Sequence, residues 1–302
     1  MHIAAFFRLI RWKNLLFIIY AQILIKFLFF PSFNIATNLS IFQFFIFLIA
    51  VILISAAGYI INNIVDLKAD LVNEPEKVVI SKQISIDKAK QLYLIVNTFG
   101  IVFGLGLCLN IQKPSYSFIF IGTSLLLYYY SKKFKSKALI GNIIVSLLIA
   151  VSMLLLGLVD LNQAFQNDIQ NFAFTVLLFL AFFAFLFNLI REIVKDIEDV
   201  NGDNILYMST LPIIFGRNRI KKLASLLCAI PILFLLYIII NYSTEYKYTV
   251  LYLLLFSLLP IIYVAIKLLS AKSIKDFRQL STALKIIMFF GVNALIILSI
   301  NP

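Results

Sequence analysis

Long apolar stretches alternate with short polar ones along the whole chain. Nine segments stand out, and each is near the ~20 residues that a helix needs to cross the hydrocarbon core of a bilayer. They lie at about 14–30, 42–65, 91–110, 116–131, 138–158, 172–195, 222–241, 248–270 and 282–300, and the fourth is short. The pattern predicts an all-α, polytopic membrane protein, with residues 1–302 as a single domain of nine transmembrane helices.

The composition agrees with this prediction and excludes several kinds of site. The chain is 62% apolar and only 13% charged, about half the charged fraction of a soluble domain. Its two cysteines, Cys108 and Cys228, lie inside apolar segments, so a disulfide framework is not expected. The one histidine is His2, which excludes histidine metal sites and histidine general bases. No small-residue cleavage site follows the basic N-terminus, so we expect a retained first helix.

The basic residues fall almost entirely on one side of the predicted membrane topology. When the loops are assigned alternately, only Lys26, Lys113 and Lys247 of the 26 basic residues lie on the other side. The positive-inside rule then places the N-terminus in the cytoplasm and the C-terminus on the opposite side. The net charge of +12 is therefore explained by topology and does not indicate a nucleic-acid partner. Asp160 and Asp168, on the opposite side, are expected to be solvated loop residues.

Two clusters hold half of the 14 acidic residues, and both fall on the predicted cytoplasmic side. The first cluster is residues 62–70 and the second is residues 191–203. Residues three, four and seven apart share a face of an α-helix. Each cluster therefore presents a stripe of oxygen atoms, formed by Asn62, Asp66 and Asp70 in the first and by Glu192, Asp196, Asp199 and Asp203 in the second. Glu198 points elsewhere and is expected to be solvated.

Carboxylates at the edge of a membrane bundle are costly to desolvate, and like charges at these spacings repel. A divalent cation would offset the repulsion. Mg²⁺ binds one or two carboxylates and takes its remaining ligands from water and substrate phosphates. Two stripes that face each other would suit a diphosphate bridged by Mg²⁺. The plain alternative is that both clusters are solvated helix ends at the membrane interface.

Basic residues near the clusters are candidate diphosphate ligands. Lys77 follows Asn73-Glu74-Pro75, where proline should end the first-cluster helix, and it is free to reach a ligand. Arg191 and Lys195 lie on the second-cluster helix and are candidates either for the ligand or for intrahelical pairing. Tyr128 and Lys132 close the fourth segment, where an aromatic belt with snorkelling lysines would look the same. Gly202 is expected to weaken the second-cluster helix.

A substrate with a diphosphate head and a lipid tail matches this layout. Its head would sit at the cytoplasmic mouth of a central cavity and its tail between the helices. An allylic tail can ionise once cations stabilise the departing diphosphate, and aromatic faces can stabilise the resulting carbocation. The runner-up function is a transporter or a cation-binding membrane protein, because intramembrane carboxylates serve ion pathways equally well.

The two clusters resemble the paired aspartate-rich motifs of the UbiA superfamily of intramembrane prenyltransferases. Residues 62–70 resemble the first motif, residues 196–203 the second, and Tyr128 to Lys132 the Y-x-x-x-K motif. Three departures stand out: Asn63 occupies the position of an expected aspartate, Lys77 that of an arginine, and Tyr207-Met208-Ser209 lacks a basic residue. The departure at Asn63 leaves a catalytically inactive, lipid-binding relative as a further alternative.

The resemblance implies a Mg²⁺-dependent prenyltransferase that uses an isoprenyl diphosphate and a hydrophobic acceptor within the bilayer. The acceptor would be a glyceryl-phosphate lipid or an aromatic quinone precursor. The amino-acid sequence of the second motif most resembles members similar to geranylgeranylglyceryl phosphate geranylgeranyltransferases. The residues assigned to catalysis and metal binding are Asp66, Asp70, Asp196 and Asp199, with Asp203 as a further metal ligand. Those assigned to the diphosphate are Asn62, Lys77, Tyr128, Lys132 and Arg191.

Overall fold

The protein is described by a computed structural model that covers residues 3–161 and 168–300, so His2 lies outside the described residues. Within these ranges the regular structure is helical, apart from one isolated β-bridge between Ile80 and Ile84. The α-helices are α1 Ile3–Leu9, α2 Trp12–Leu24, α3 Phe30–Ser32, α4 Ile41–Val65, α5 Leu67–Asn73, α6 Ile86–Asn110, α7 Ser117–Tyr129, α8 Ile140–Asp160, α9 Asp168–Ile205, α10 Leu211–Phe215, α11 Arg217–Leu227, α12 Ala229–Tyr242, α13 Lys247–Leu253, α14 Leu259–Ser270 and α15 Ile274–Ile300.

Short 3₁₀ and π segments interrupt this series. The 3₁₀ turns are Pro75–Lys77 and Pro114–Tyr116, and the π turns are Ile25–Phe29, Tyr130–Phe134 and Leu254–Leu258. A π turn places one extra residue in a helical turn and therefore changes which side chains share a face beyond it. The turn at Tyr130–Phe134 includes Lys132, the last residue of the predicted Tyr128–Lys132 motif.

Eight helical stretches in the described residues are long and apolar enough to cross a membrane. They are Trp12–Ser32, Ile41–Val65, Ile86–Asn110, Ile140–Asp160, Asp168–Ile205, Arg217–Tyr242, Lys247–Ser270 and Ile274–Ile300. The fourth predicted segment corresponds to α7, a helix of 13 residues that continues into the π turn. The largest difference from the predicted bounds is at α9, which has 38 residues and runs through Gly202 without a break.

The chain divides into two compact units. The first comprises residues 1–20, 38–144 and 201–208, and the second comprises residues 21–37, 145–200 and 209–302. In the first unit, α4 packs mainly against α6 and α7. A capping box starts α4, in which Ser40 and Gln43 each accept a hydrogen bond from the other's backbone N–H.

The loop after the first cluster is held in the first unit by its own apolar side chains. Val79, Ile80 and Ile84 are buried in one cluster with residues of α1 and α4, including Leu9 and Ile60. Arg8 also donates a hydrogen bond of 2.9 Å to Gln83 Oε1. The burial of these side chains stabilises the loop beside the helix end that carries the acidic residues.

The second unit contains a buried ion pair. Lys26, in the first π turn, donates to Asp160 Oδ2 at 2.7 Å and to Thr37 Oγ1 at 3.1 Å. Asp160 is 0% exposed, so its predicted solvation is wrong, whereas Asp168 is exposed as expected. The position of Asp160 at a span end suggests solvation, but a lysine 134 residues away in the sequence neutralises it instead.

Candidate active site

The first acidic cluster lies at the junction of α4 and α5. Asp66 ends α4 and starts α5, and backbone hydrogen bonds of 2.9 Å from Asp66 to Asn62 and from Asp70 to Asp66 continue the helical pattern through it. The Asn62 amide donates to Asp66 Oδ2 at 2.7 Å. The predicted stripe is therefore present for Asn62 and Asp66, and Asp66 is only 2% exposed.

The cation that neutralises Asp66 is Lys135, which donates a hydrogen bond to Asp66 Oδ2. Lys135 is the residue directly after the π turn, and its N–H bonds to the Tyr130 carbonyl at 2.9 Å. Lys135 lies three residues beyond Lys132, the lysine that the Y-x-x-x-K resemblance indicates. Lys135 is thus a candidate site residue that only the structure identifies.

Lys135 also connects the two acidic clusters electrostatically within the first unit. Burial is the largest influence and acts to lower the pKa of Lys135, but the charge and hydrogen bond of Asp66 and the charge of Asp203 together raise that pKa above its usual value. Asp203 is 6% exposed and belongs to the second cluster. One ammonium therefore lies in the field of a carboxylate from each cluster.

A direct contact brings the end of the second cluster against α5. The Gly202 N–H donates to Asn73 Oδ1 at 2.9 Å. A Cβ atom at position 202 would lie 2.4 Å from Asn73 Nδ2 and 2.8 Å from the Ala69 carbonyl oxygen. Glycine is required here because α9 approaches the backbone of α5 this closely. Gly202 thus allows a close helix contact, and α9 continues through it to Ile205.

Two oxygens of the first cluster are suited to a cation. Asn62 Oδ1 and Asp66 Oδ1 are buried and have no hydrogen-bond partner among the described residues. A buried polar atom without a partner loses its hydration, so it favours a ligand that replaces the lost interaction. The described residues hold no preformed group of three or more His, Cys, Asp or Glu in metal-binding geometry. These oxygens fit Mg²⁺, which needs few protein ligands because phosphates and water supply the rest.

Asn63, at the position of an expected aspartate, donates hydrogen bonds to backbone carbonyls. Its amide donates to the Leu9 carbonyl at 3.0 Å and to the Tyr59 carbonyl at 2.7 Å. An aspartate has no proton to donate and would place its charge against two carbonyl oxygens. The side chain at this position joins α4 to the end of α1, on the evidence of these contacts, and it is not directed at the oxygens of Asn62 and Asp66.

Residues 191–200 of the second cluster lie in the second unit, on α9. Lys195 donates to Asp199 at 2.5 Å and Arg191 to Glu192 at 2.5 Å, so both cations pair within the helix. Glu198 is 9% exposed and accepts a hydrogen bond of 2.7 Å from Arg278 Nε. The predicted solvation of Glu198 is wrong, because a basic residue on α15 takes the place of water.

Comparison with known proteins assigns the chain to a family. A profile of the UbiA prenyltransferase family matches residues 23–291. The chain belongs to the UbiA prenyltransferase family. A digeranylgeranylglyceryl phosphate synthase of Saccharolobus solfataricus is 32% identical over 245 residues, which cover 81% of this chain and 80% of the relative. The enzyme of the same name from Methanococcus vannielii is 31% identical over 307 residues and 99% of each chain.

Solved structures have the same fold as this UbiA family member. A structure from work on digeranylgeranylglyceryl phosphate synthase in membranes has a TM-score of 0.67 at 25% identity and covers 99% of each chain. A UbiA homolog from Archaeoglobus fulgidus bound to DMAPP and Mg²⁺ has a TM-score of 0.55 at 14% identity, over 96% of this chain and 98% of that one. The predicted all-helical membrane fold, family and enzyme class are confirmed.

The predicted diphosphate ligands Lys132 and Lys77 of this UbiA protein each contact a residue nearby in the sequence. Lys132 is exposed, and its ammonium lies 2.5 Å from Tyr128 Oη and 4.6 Å from the centre of the Tyr128 ring. The Tyr128 ring in turn stacks on Tyr93, with 6.2 Å between ring centres. Lys77 is paired with Glu74, and its side chain is 62% exposed. Tyr128 and Lys132 thus contact each other, while the lysine that contacts Asp66 is Lys135.

Proposed function

We propose that this protein transfers a geranylgeranyl group from its diphosphate to the free hydroxyl of a geranylgeranylglyceryl phosphate lipid, with Mg²⁺ as cofactor. The observation that carries the proposal is the cluster around Asp66, where a lysine and two unpartnered buried oxygens provide ligands for a diphosphate and its cation. The acceptor is chosen from the relatives, because digeranylgeranylglyceryl phosphate synthases match this chain over up to 99% of its length.

The reaction breaks the bond between the allylic carbon and the diphosphate oxygen, forms a bond from that carbon to the acceptor hydroxyl oxygen, and releases the hydroxyl proton. Bound Mg²⁺ would neutralise the departing diphosphate. We assign the metal to Asp66, Asp70, Asp196, Asp199 and Asp203, with Asn62 in support. Asp66 and Asp203 hold the ammonium of Lys135 in its charged form, so that it can donate hydrogen bonds to the leaving group.

The other cations proposed for the diphosphate are Lys77, Lys132 and Arg191, with Tyr128 beside Lys132. In the structure these cations contact Glu74, Tyr128 and Glu192, respectively. The Lys77 side chain is 62% exposed, and exposed ion pairs contribute only about 0–1 kcal/mol. Lys77 can therefore exchange its present partner for a phosphate at small cost in free energy.

The orientation in the membrane follows from the distribution of basic residues. We propose that the N-terminus and both acidic clusters face the cytoplasm, and that the C-terminus lies on the opposite side. The substrate head would then enter from the cytoplasmic side, where a water-soluble diphosphate is present. Labelling single cysteines introduced at exposed positions of the first-cluster loop and the 243–246 loop, from each side of sealed vesicles, tests this orientation.

The activity is tested with purified protein, geranylgeranyl diphosphate, Mg²⁺ and a panel of acceptors. We expect product with geranylgeranylglyceryl phosphate and none with phenolic acceptors. Asp66→Asn should abolish transfer while the protein still inserts into the membrane, and Asp87→Asn, at an exposed carboxylate on α6, is the matched control. Transfer only to a phenol would change the acceptor assignment. Absence of diphosphate release with every acceptor, or full activity of Asp66→Asn, would overturn the proposal.

A further inference from the structure

Glu198 is the acidic residue of the second cluster that the proposed site does not use. It lies on α9 between Asp196 and Asp199. Because successive residues of an α-helix differ by about 100° around its axis, Glu198 points away from both. It is nevertheless 9% exposed, and its carboxylate accepts the hydrogen bond from Arg278 Nε. A buried carboxylate that loses its cation is strongly destabilising. The pair therefore favours the rotation of α9 that keeps Glu198 beside α15.

Arg278 extends from the start of α15, where several hydrogen bonds hold the backbone. The first turn of that helix is closed by Asp276 Oδ2, which accepts hydrogen bonds of 2.9 Å from the N–H groups of Lys272 and Ser273. Ser273 Oγ accepts from the Asp276 N–H at 3.2 Å in return. Lys221 of α11 donates to the Ala271 carbonyl at 2.9 Å, directly before this turn. Several independent contacts therefore fix the backbone from which Arg278 extends.

Two further ion pairs of the second cluster lie within α9 and do not fix its rotation against a neighbouring helix. Lys195 and Asp199 lie on the same helix, as do Arg191 and Glu192, so both pairs rotate together with it. The contact between Glu198 and Arg278 joins α9 to a different helix. Since Asp196 and Asp199 share one backbone with Glu198, an anchor on one face determines the direction of the other.

We propose that Arg278 is a positioning residue that fixes the rotation of α9 through Glu198 and thereby directs Asp196 and Asp199 toward the bound metal and diphosphate. The inference rests on the proposed function, because the two aspartates are assigned to the metal there. It adds a residue on α15, 75 positions beyond the end of the second cluster, to the set on which the proposed reaction depends.

The test compares Arg278→Met, Arg278→Lys, Glu198→Gln and the double variant E198Q/R278M with Lys275→Met, which removes an exposed charge from the same helix. Two quantities are measured: the Mg²⁺ dependence of kcat and KM, and Mn²⁺ binding to the protein with inorganic diphosphate, followed by electron paramagnetic resonance. Loss of residues that orient metal ligands weakens metal affinity about 10-fold to 100-fold. We expect a shift of this size for Arg278→Met, a smaller one for Arg278→Lys, and none for Lys275→Met.

The double variant separates positioning from simple charge removal. Once Glu198 is neutral, loss of Arg278 no longer strands a charge, so the double variant should fold as stably as Glu198→Gln and bind Mn²⁺ no more weakly than Arg278→Met. Unchanged Mn²⁺ affinity in Arg278→Met, or an equal shift in Lys275→Met, would overturn the inference. If Arg278→Met does not fold, Arg278→Lys and Glu198→Gln decide in the same way. Inactivity of the wild type refutes the proposed function, while the Mn²⁺ measurement still tests Arg278.

Discussion

The contact at Gly202 gives a sharp test of how the end of α9 packs against α5 in the first unit. In Gly202→Ala the new Cβ would lie 2.4 Å from Asn73 Nδ2 and 2.8 Å from the Ala69 carbonyl oxygen. The Asn73 side chain can rotate away, but then its hydrogen bond from the Gly202 N–H is lost. The Ala69 oxygen belongs to the backbone of α5, so that helix and the end of α9 must separate by several tenths of an ångström.

The size of the effect follows from three terms. Overpacking at a close contact costs about 1–3 kcal/mol. Loss of the hydrogen bond to Asn73 costs about 0.5–1.5 kcal/mol. Alanine gains about 1 kcal/mol over glycine inside a helix. We therefore expect Gly202→Ala to destabilise the protein by about 1–3 kcal/mol. Since Asp203 moves together with residue 202, the reaction should also need a higher Mg²⁺ concentration for half-maximal rate.

Unfolding in mixed detergent micelles measures the stability, and steady-state transfer at varied Mg²⁺ measures the effect on the site. Gly106→Ala is the matched control, because Gly106 also lies inside a helix of the first unit and its added Cβ would meet no neighbouring helix within 4 Å among the described residues. The control should be as stable as the wild type or slightly more stable. Equal stability and equal Mg²⁺ dependence for both variants would refute the close approach of α9 to α5.

Three further variants test other contacts. Asn63→Asp should lower the free energy of unfolding by about 1–3 kcal/mol through loss of two donated hydrogen bonds, with an unchanged Mg²⁺ half-saturation; a tighter Mg²⁺ dependence would show that residue 63 can bind the metal. Lys26→Met should cost about 3–5 kcal/mol because it strands Asp160, and adding Asp160→Asn should recover most of the loss; additive losses would argue against the pair. Lys135→Met leaves Asp66 buried without its cation, so its thermal stability should fall and then recover with Mg²⁺ and diphosphate; an equal response in the wild type would refute this.

Much of the fold and the family could be predicted from the sequence, because the relevant signals are local. In lipid the backbone polar groups must be satisfied within the protein, and a helix does this within one segment. Hydropathy over about 20 residues therefore predicts the transmembrane helices. The i, i+4 spacing of Asn62 and Asp66 places both on one helix face whatever surrounds them, and the structure shows their hydrogen bond. The paired aspartate clusters were specific enough to indicate the family that the comparisons confirm.

Only the tertiary structure decided which charges meet, because ion pairing across helices depends on side chains that are distant in sequence. Asp160 and Glu198 resemble solvated residues until Lys26 and Arg278 are placed beside them. A rule based on 3.6 residues per turn likewise does not predict a π turn, and Lys135, which contacts Asp66, directly follows one. The sequence alone therefore determined the membrane fold and the acidic clusters, while packing determined their counter-ions, since a buried charge takes whichever partner the folded chain brings within reach.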